Sequence, residues 1–235
     1  MVGATLLIRS LHAVSTADPG FRPQQLLAMK INPDASFCAN ASACIAFYER
    51  ILSEARGVRG VADTALANTV ALHGTAPSLP MDVEDHPKTA DFPAPMFWSG
   101  AVSLGYLHLM GIPLLAGRPF TLADTPHSEP VVLIVASTAR RYWPGLNVLG
   151  NHIKWVSETR WRTIVGVVAD VHQYNLANRG PVGIAGGVYL PDAQSVAADG
   201  RNPTVMHLIE KTVSEAPEAA QDLAGLPWRS IPTSR

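Results

Sequence analysis

Apolar residues along this chain recur in two rhythms, and each predicts a kind of element. The first is periodic. Ile45, Tyr48, Ile51, Leu52 and Ala55 repeat at three- and four-residue spacing, while Glu49, Arg50, Glu54 and Arg56 fall on the other side. This is the single stripe of a surface helix, stopped by Gly57 and Gly60. On either side lie short apolar runs, Leu26–Ile31 closed by Asn32-Pro33-Asp34, and Val61–Leu66. Both read as strands, so the legible part of the first half is a β-α-β unit.

The second rhythm is continuous. Val131–Val135 has no polar member, and Ile164, Val165, Val167 and Val168 are interrupted only by Gly166. Such β-branched runs fit strands buried on both faces. Gly166 then marks a bulge or the close approach of another backbone, and Asp170 marks where the strand emerges. Ile153–Val156, a turn near Glu158-Thr159 and the strand from Arg162 to Val171 read as a hairpin, with further strands at Val188–Leu190 and Thr204–Ile209. Ser103 is placed to cap a short helix through Met110, closed by Gly111, and Ser137 to cap Thr138–Trp143, ended by Pro144-Gly145. Gly74 to Pro95 holds five prolines and little periodicity, which predicts a long surface excursion or an irregular strand pair. Strands and helices mix without regular βα alternation, so the fold class is α+β.

Composition narrows the possible functions. The 235 residues allow one large domain or two small ones, and the 47 % hydrophobic fraction supports a proper core. Charged residues make up 16 %, below the roughly 25 % of a typical domain. A net charge of −1, with Arg140-Arg141 the only adjacent basic pair, argues against nucleic acid as a partner. No run of 18 or more apolar residues, the length that would cross a membrane, occurs in the sequence. The apolar opening, Met1 to Leu11, reads either as a buried amphipathic helix or as the last turns of a transmembrane helix.

Chemistry is sparse. The eight histidines do not cluster, and neither H-E-x-x-H nor C-x-x-C occurs. Asp170 and His172 stand two apart at a strand end and can share a face, as a metal pair would; a solvated strand exit is the plainer reading. His127 and Glu129, in a proline-flanked loop, take the same discount. Gly100-Ala-Val-Ser-Leu-Gly105 is a near miss for G-x-S-x-G, with Ala101 where the first glycine belongs, so a helix cap explains Ser103 better than a nucleophile does. Gly180, Gly183, Gly186 and Gly187 match neither a P-loop nor a dinucleotide fingerprint and read as a loop. Cys38 and Cys44 are either a small disulfide loop in an oxidising compartment or two buried thiols. Trp98, Trp143, Trp155, Trp161 and Trp228 are scattered, as core or rim residues are. No residue is assigned a catalytic, cofactor-binding or metal-binding role, and no cofactor is expected.

Several stretches read together resemble one family. Asp18-Pro-Gly-Phe21 with Leu26-Leu27, and Phe47-Tyr-Glu-Arg50 with Gly57 to Val61, come first. Met110-Gly-Ile-Pro-Leu-Leu-Ala-Gly-Arg-Pro-Phe120, Ala139-Arg-Arg-Tyr-Trp-Pro-Gly145 and Thr163-Ile-Val-Gly-Val-Val-Ala-Asp170 follow, then Tyr189-Leu-Pro191 with Gln194. In order and spacing, over roughly residues 5 to 212, they are similar to the periplasmic core domain of MacB/FtsX-type ABC transporter permeases, above all the orphan permeases with two tandem copies.

The resemblance implies an extracytoplasmic α+β domain without an active site, built from a porter-like α/β subdomain and an inserted, more β-rich one. On this reading residues 1–17 are the end of a truncated transmembrane or membrane-proximal helix, 18–212 the core domain and 213–235 a divergent tail. The chain is expected to be a fragment associated with the inner membrane and facing the periplasm. It would transmit ATP-driven motion to efflux or substrate handover. The implied partners are a cytoplasmic ABC ATPase reached through the missing membrane helices, a second permease copy or homodimer partner, and a periplasmic protein. Two departures stand out. Val135-Ala136 replaces a common Asn-Glu, which removes a polar contact at that strand end, and Val148 replaces a common proline. Two rival readings are a small hydrolase using Asp170, His172 or Ser103, and a free-standing module that binds a lipid or peptide.

Overall fold

The computed structural model describes residues 18–33, 41–73, 76–87, 93–176, 183–198 and 205–213. The predicted opening helix, Cys38, Trp228 and the tail beyond Val213 lie outside them. Strand β1 (Leu26–Ile31), helix α1 (Ala41–Arg56) and strand β2 (Val61–Ala67) form as their patterns predict. The two strands are not neighbours, however. Strand β10 (Met206–Thr212), from the far end of the chain, lies antiparallel between them. The stripe of α1 packs Phe47, Ile51 and Ala55 onto Ile31, Leu66 and Leu208 of this three-stranded layer. Cys44 is fully buried in the same core and carries no free thiol.

The remaining strands pair in a ring. β3 (Ser78–Val83) lies between β4 (Met96–Val102) and β7 (His152–Trp155), and β7 pairs with β8 (Arg162–Val168) in the predicted hairpin. β8 runs parallel to β6 (Val131–Val135), β6 pairs with β9 (Ile184–Pro191), and β9 runs parallel to β4 along its whole length. The order β4-β3-β7-β8-β6-β9 therefore closes on itself, which removes the exposed edges an open sheet would present. β3 comes from the proline-rich stretch.

Alternation along the strands separates two cores. Met81, Val83, Ile153 and Trp155 are the buried residues of β3 and β7 and share a cluster with Phe97, Ile134 and Leu190. Because β3 and β7 bury only one face, that cluster fills the ring. Trp98, Leu133, Val168 and Tyr189 point the opposite way into a second core. Helix α2 (Tyr106–Met110) covers this outer face. All five residues of β6 are buried, as a continuous apolar run requires.

Gly166 is both things its sequence position allows. Register slips between Val132 and Leu133, so that Ile164 and Gly166 face consecutive β6 residues and Val165 is bulged. On the other edge of β8, strand β5 (Leu114–Gly117) pairs with it. A Cβ on Gly166 would stand 2.7 Å from the carbonyl oxygen of Arg118 and 2.8 Å from Leu133 Cδ2. At the head of β8, Arg162 is only 2 % exposed. Its guanidinium lies 4.6 Å from the centre of the Trp155 ring and meets Glu158 at 3.0 Å.

Four local readings need correction. Helix α2 starts after Gly105 without a side-chain cap, and Ser103 does other work. Helix α3 (Ala136–Tyr142) begins two residues early, so Ser137 lies inside it. Gly186 and Gly187 belong to β9 instead of a loop, and a Cβ on Gly187 would strike the Trp98 ring. Helix α4 (Asp192–Ala198) was hidden by its small, weakly patterned residues. Crowding at Gly166 makes a clear expectation: Gly166→Val, and even Gly166→Ala, lowers Tm by roughly 5 °C or more, equivalent to about 2 kcal/mol. Thermal unfolding followed by circular dichroism measures it, and a parental Tm would mean the strands are not in this contact.

Candidate functional site

Where β8 and β6 end and β9 begins, the surface opens into a cleft of about 310 Å³. Asp170, His172, Ser137, Trp98 and Gly186 line it together with Asp18 and Gly20. The strand exit thus brings Asp170 and His172 to one cleft, but it does not make them a pair. Asp170 Oδ1 accepts the Ser137 N–H at 2.7 Å, and Oδ2 accepts Arg140 Nη2 at 2.7 Å. Burial alone would raise the Asp170 pKa, but the Ser137 hydrogen bonds and Arg140 outweigh it and hold the carboxyl below its ordinary value. The group is an ionised clamp on the start of α3.

His172 lines the same cleft but bonds elsewhere: its Nδ1 lies 3.3 Å from the Asn175 carbonyl, and its backbone N–H donates to the Pro19 carbonyl at 2.9 Å. Among the described residues no three His, Cys, Asp or Glu side chains stand together as a metal site would need. His127 is exposed, and Glu129 accepts the Thr163 hydroxyl.

Ser103 does not line this cleft. Its N–H donates to the Leu66 carbonyl at 2.9 Å, while its Oγ accepts the Leu66 N–H at 2.9 Å. Asn68 mirrors it: Oδ1 accepts the Ala101 N–H at 2.8 Å, and the Asn68 N–H donates to the Ala101 carbonyl at 3.0 Å. β2 and β4 pair as strands only at Ala67 and Val102, so these two side chains extend the junction on both sides. The position that resembled a nucleophile is a stitch between the three-stranded layer and the ring.

Other polar residues are spent in the same way. Asp124 holds Arg118 through two 2.8 Å contacts and accepts the Thr121 N–H. Desolvation raises the Asp124 pKa, but Arg118 and Thr121 together lower it further than that. Gln194 of α4 accepts the Val131 N–H at 2.9 Å and donates to the carbonyls of Thr125 and Glu129. Trp98, Trp143 and Trp155 are core residues, whereas Trp161 is exposed.

One group escaped the sequence reading entirely. Glu210, in the centre of β10 opposite Leu27 and Thr64, is 1 % exposed, and among the described residues neither carboxyl oxygen has a hydrogen-bond partner. Burial pushes its pKa up to about 7. The only sequence signal was an acidic residue inside an otherwise apolar strand.

Comparison with known proteins gives this geometry its context. The family model of the MacB-like periplasmic core domain matches residues 47–224. The periplasmic region of MacB from Actinobacillus actinomycetemcomitans has the same fold, with a TM-score of 0.57 at 15 % identity over 87 % of this chain and 82 % of that one. The extracellular domain of the noncanonic ABC-type transporter YknZ from Gram-positive bacteria gives 0.53 at 15 % identity, covering 78 % and 81 %. No curated protein matches the chain.

Two expectations follow from these contacts. Ser103→Ala leaves the buried Leu66 N–H unpaired and destabilises the chain by about 1–3 kcal/mol, read in urea unfolding; an unchanged midpoint would remove the stitch. Glu210 binds its proton more tightly folded than unfolded, so it takes stability away as pH rises from 4.5 to about 7. Glu210→Gln should therefore match the parent near pH 4.5 and exceed it by roughly 2–3 kcal/mol at pH 8. A pH-independent difference would contradict that assignment.

Proposed function

The chain belongs to the MacB-like periplasmic core domain family, and from that premise we propose that it works by transmitting movement, with no reaction of its own. It is an extracytoplasmic domain of a MacB-like ABC transporter permease, a class that assembles with an ATPase and with permease partners. Among the described residues no helix is long and apolar enough to cross a membrane. In the proposal, ATP-driven motion of a cytoplasmic ATPase reaches this domain through membrane helices of the permease. The domain then moves against a second permease copy or a periplasmic protein and drives export or handover of a substrate. Residues 18–212 are the moving body, with the layer around α1 as the porter-like part and the ring as the inserted β-rich part.

The observation that carries this reading is the junction at β4. That strand hydrogen-bonds β3 and β9 within the ring and, at Val102, β2 of the layer. A displacement of either part is therefore passed along a hydrogen-bonded backbone, with Ser103 and Asn68 bracing the crossing. The candidate catalytic side chains Ser103 and Asp170 are engaged in packing instead.

In a permease carrying this domain, the double variant Ser103→Ala/Asn68→Ala should lower substrate exported per ATP hydrolysed, by about threefold or more for a junction weakened by 1–3 kcal/mol. ATP hydrolysis itself should stay near the parental rate. Unchanged export per ATP in a variant that is measurably destabilised would sink the proposal.

A further inference from the structure

Helices α1 and α4 meet over a cavity of about 60 Å³. This exceeds the about 10–15 Å³ that one water needs, so it is more than a packing gap. Its walls are hydrocarbon, with Ile45 and Leu52 from α1, Leu66 from β2 and Met206 from β10. Two carboxylates, Glu49 from α1 and Asp192 from α4, share that lining. Asp192 Oδ1 accepts the N–H of Ala193 at 2.8 Å. Among the described residues no Lys or Arg is paired with either carboxylate. Arg50, the nearest basic residue in sequence, is bonded to Glu54. Burial and the charge of Glu49 raise the Asp192 pKa to about 6, the direction expected where no internal cation offsets the pair.

Each class of ligand can be weighed against this lining. An anion would meet two like charges. A neutral hydrocarbon would fill the walls and leave the charge of half-buried Asp192 uncompensated beside the exposed Glu49. A divalent cation would find two carboxylates and no further ligand among the cavity's side chains except a tyrosine, short of a complete shell. A molecule with an aliphatic stem and a positive end satisfies both halves of the lining, as a lysine does when its stem lies on apolar surface and its head on a carboxylate.

We propose that this cavity is a binding site for a primary alkylammonium group, with the short alkyl chain against Leu52, Leu66 and Met206 and the ammonium on Asp192 and Glu49. The ligand would tie α1, which rests on the three-stranded layer, to α4, which continues from β9 of the ring. It would therefore clamp the two parts of the fold at a second place besides β4.

The test titrates the 235-residue chain at pH 7.5 with n-butylammonium chloride and, separately, with n-butanol, followed by amide shifts in NMR spectra. Butylammonium should move the resonances of Tyr48, Leu66 and Ala193 and bind at least about tenfold more tightly than the alcohol. Asp192→Asn should erase that advantage. Ala193→Leu, which fills the cavity, should remove binding while keeping the parental Tm. Equal affinity for amine and alcohol, an advantage kept in Asp192→Asn, binding kept in Ala193→Leu, or shifts confined to another surface would each overturn the proposal. The amine–alcohol comparison uses the parent chain, so it decides the matter even if a variant does not fold, and none of these readouts depends on export.

Discussion

Strand β4 has one edge shared by two partners. Its first residues bond to β3, its last to β2, and the opposite edge is taken by β9 throughout. The three-stranded layer and the ring also share a core, in which Ala65, Ala67 and Ile209 pack with Trp98, Leu133 and Tyr189, but β4 is where their strands pair. The pairing to β2 is short, and short pairings fray, so the structure adds side chains where ladder bonds run out. Ser103 and Asn68 supply hydrogen bonds that a longer strand would have supplied from its backbone. The ring is held by the same economy of space: Gly187 makes room for Trp98, and Gly166 lets the segment after β5 lie against β8.

The polar side chains with the richest bonding are scaffolding. Asp170 clamps α3, Asp124 and Arg118 fix the loop after β5, and Gln194 ties the segment before β6 to α4. Each resembles a functional residue in isolation because buried, multiply bonded carboxylates and amides are common at active sites. Their partners decide otherwise, since the bonds run to the backbone, to a neighbouring ion or to a hydroxyl of the same scaffold. Glu210 and the pair Glu49–Asp192 differ in kind. Among the described residues no Lys or Arg pairs with any of them, and burial raises the pKa of Glu210 and Asp192, so protonation or a ligand there can change how α1 sits on its sheet.

Much of this was legible from the chain. The 3.6-residue stripe of α1 and the unbroken apolar runs of β6 and β8 needed no tertiary information, because a two-sided burial requirement writes itself directly into side-chain type. Gly166 announced its close approach for the same reason: nothing else fits among β-branched neighbours. The ordered motifs, from Asp18-Pro-Gly-Phe21 to Gln194, were sufficient to name the family. The helix caps misled, since Ser103 and Ser137 have the right chemistry next to the right elements and local preference cannot see a competing donor 37 residues away.

The sequence by itself determined helix α1, the strands β1, β2, β6, β7 and β8, which strands are buried on both faces, and the family to which the chain belongs. These follow from periodicity, residue volume and the order of motifs, all of them local properties. Only the tertiary structure decided that β10 lies between β1 and β2, that β4 and β9 close the ring, and that Ser103 joins the two parts. It alone also showed Glu210 buried without a partner among the described residues, and Asp192 beside Glu49. Those facts depend on which distant segments meet, and the free energy of such meetings is set by burial and hydrogen-bond partners that no window along the chain contains.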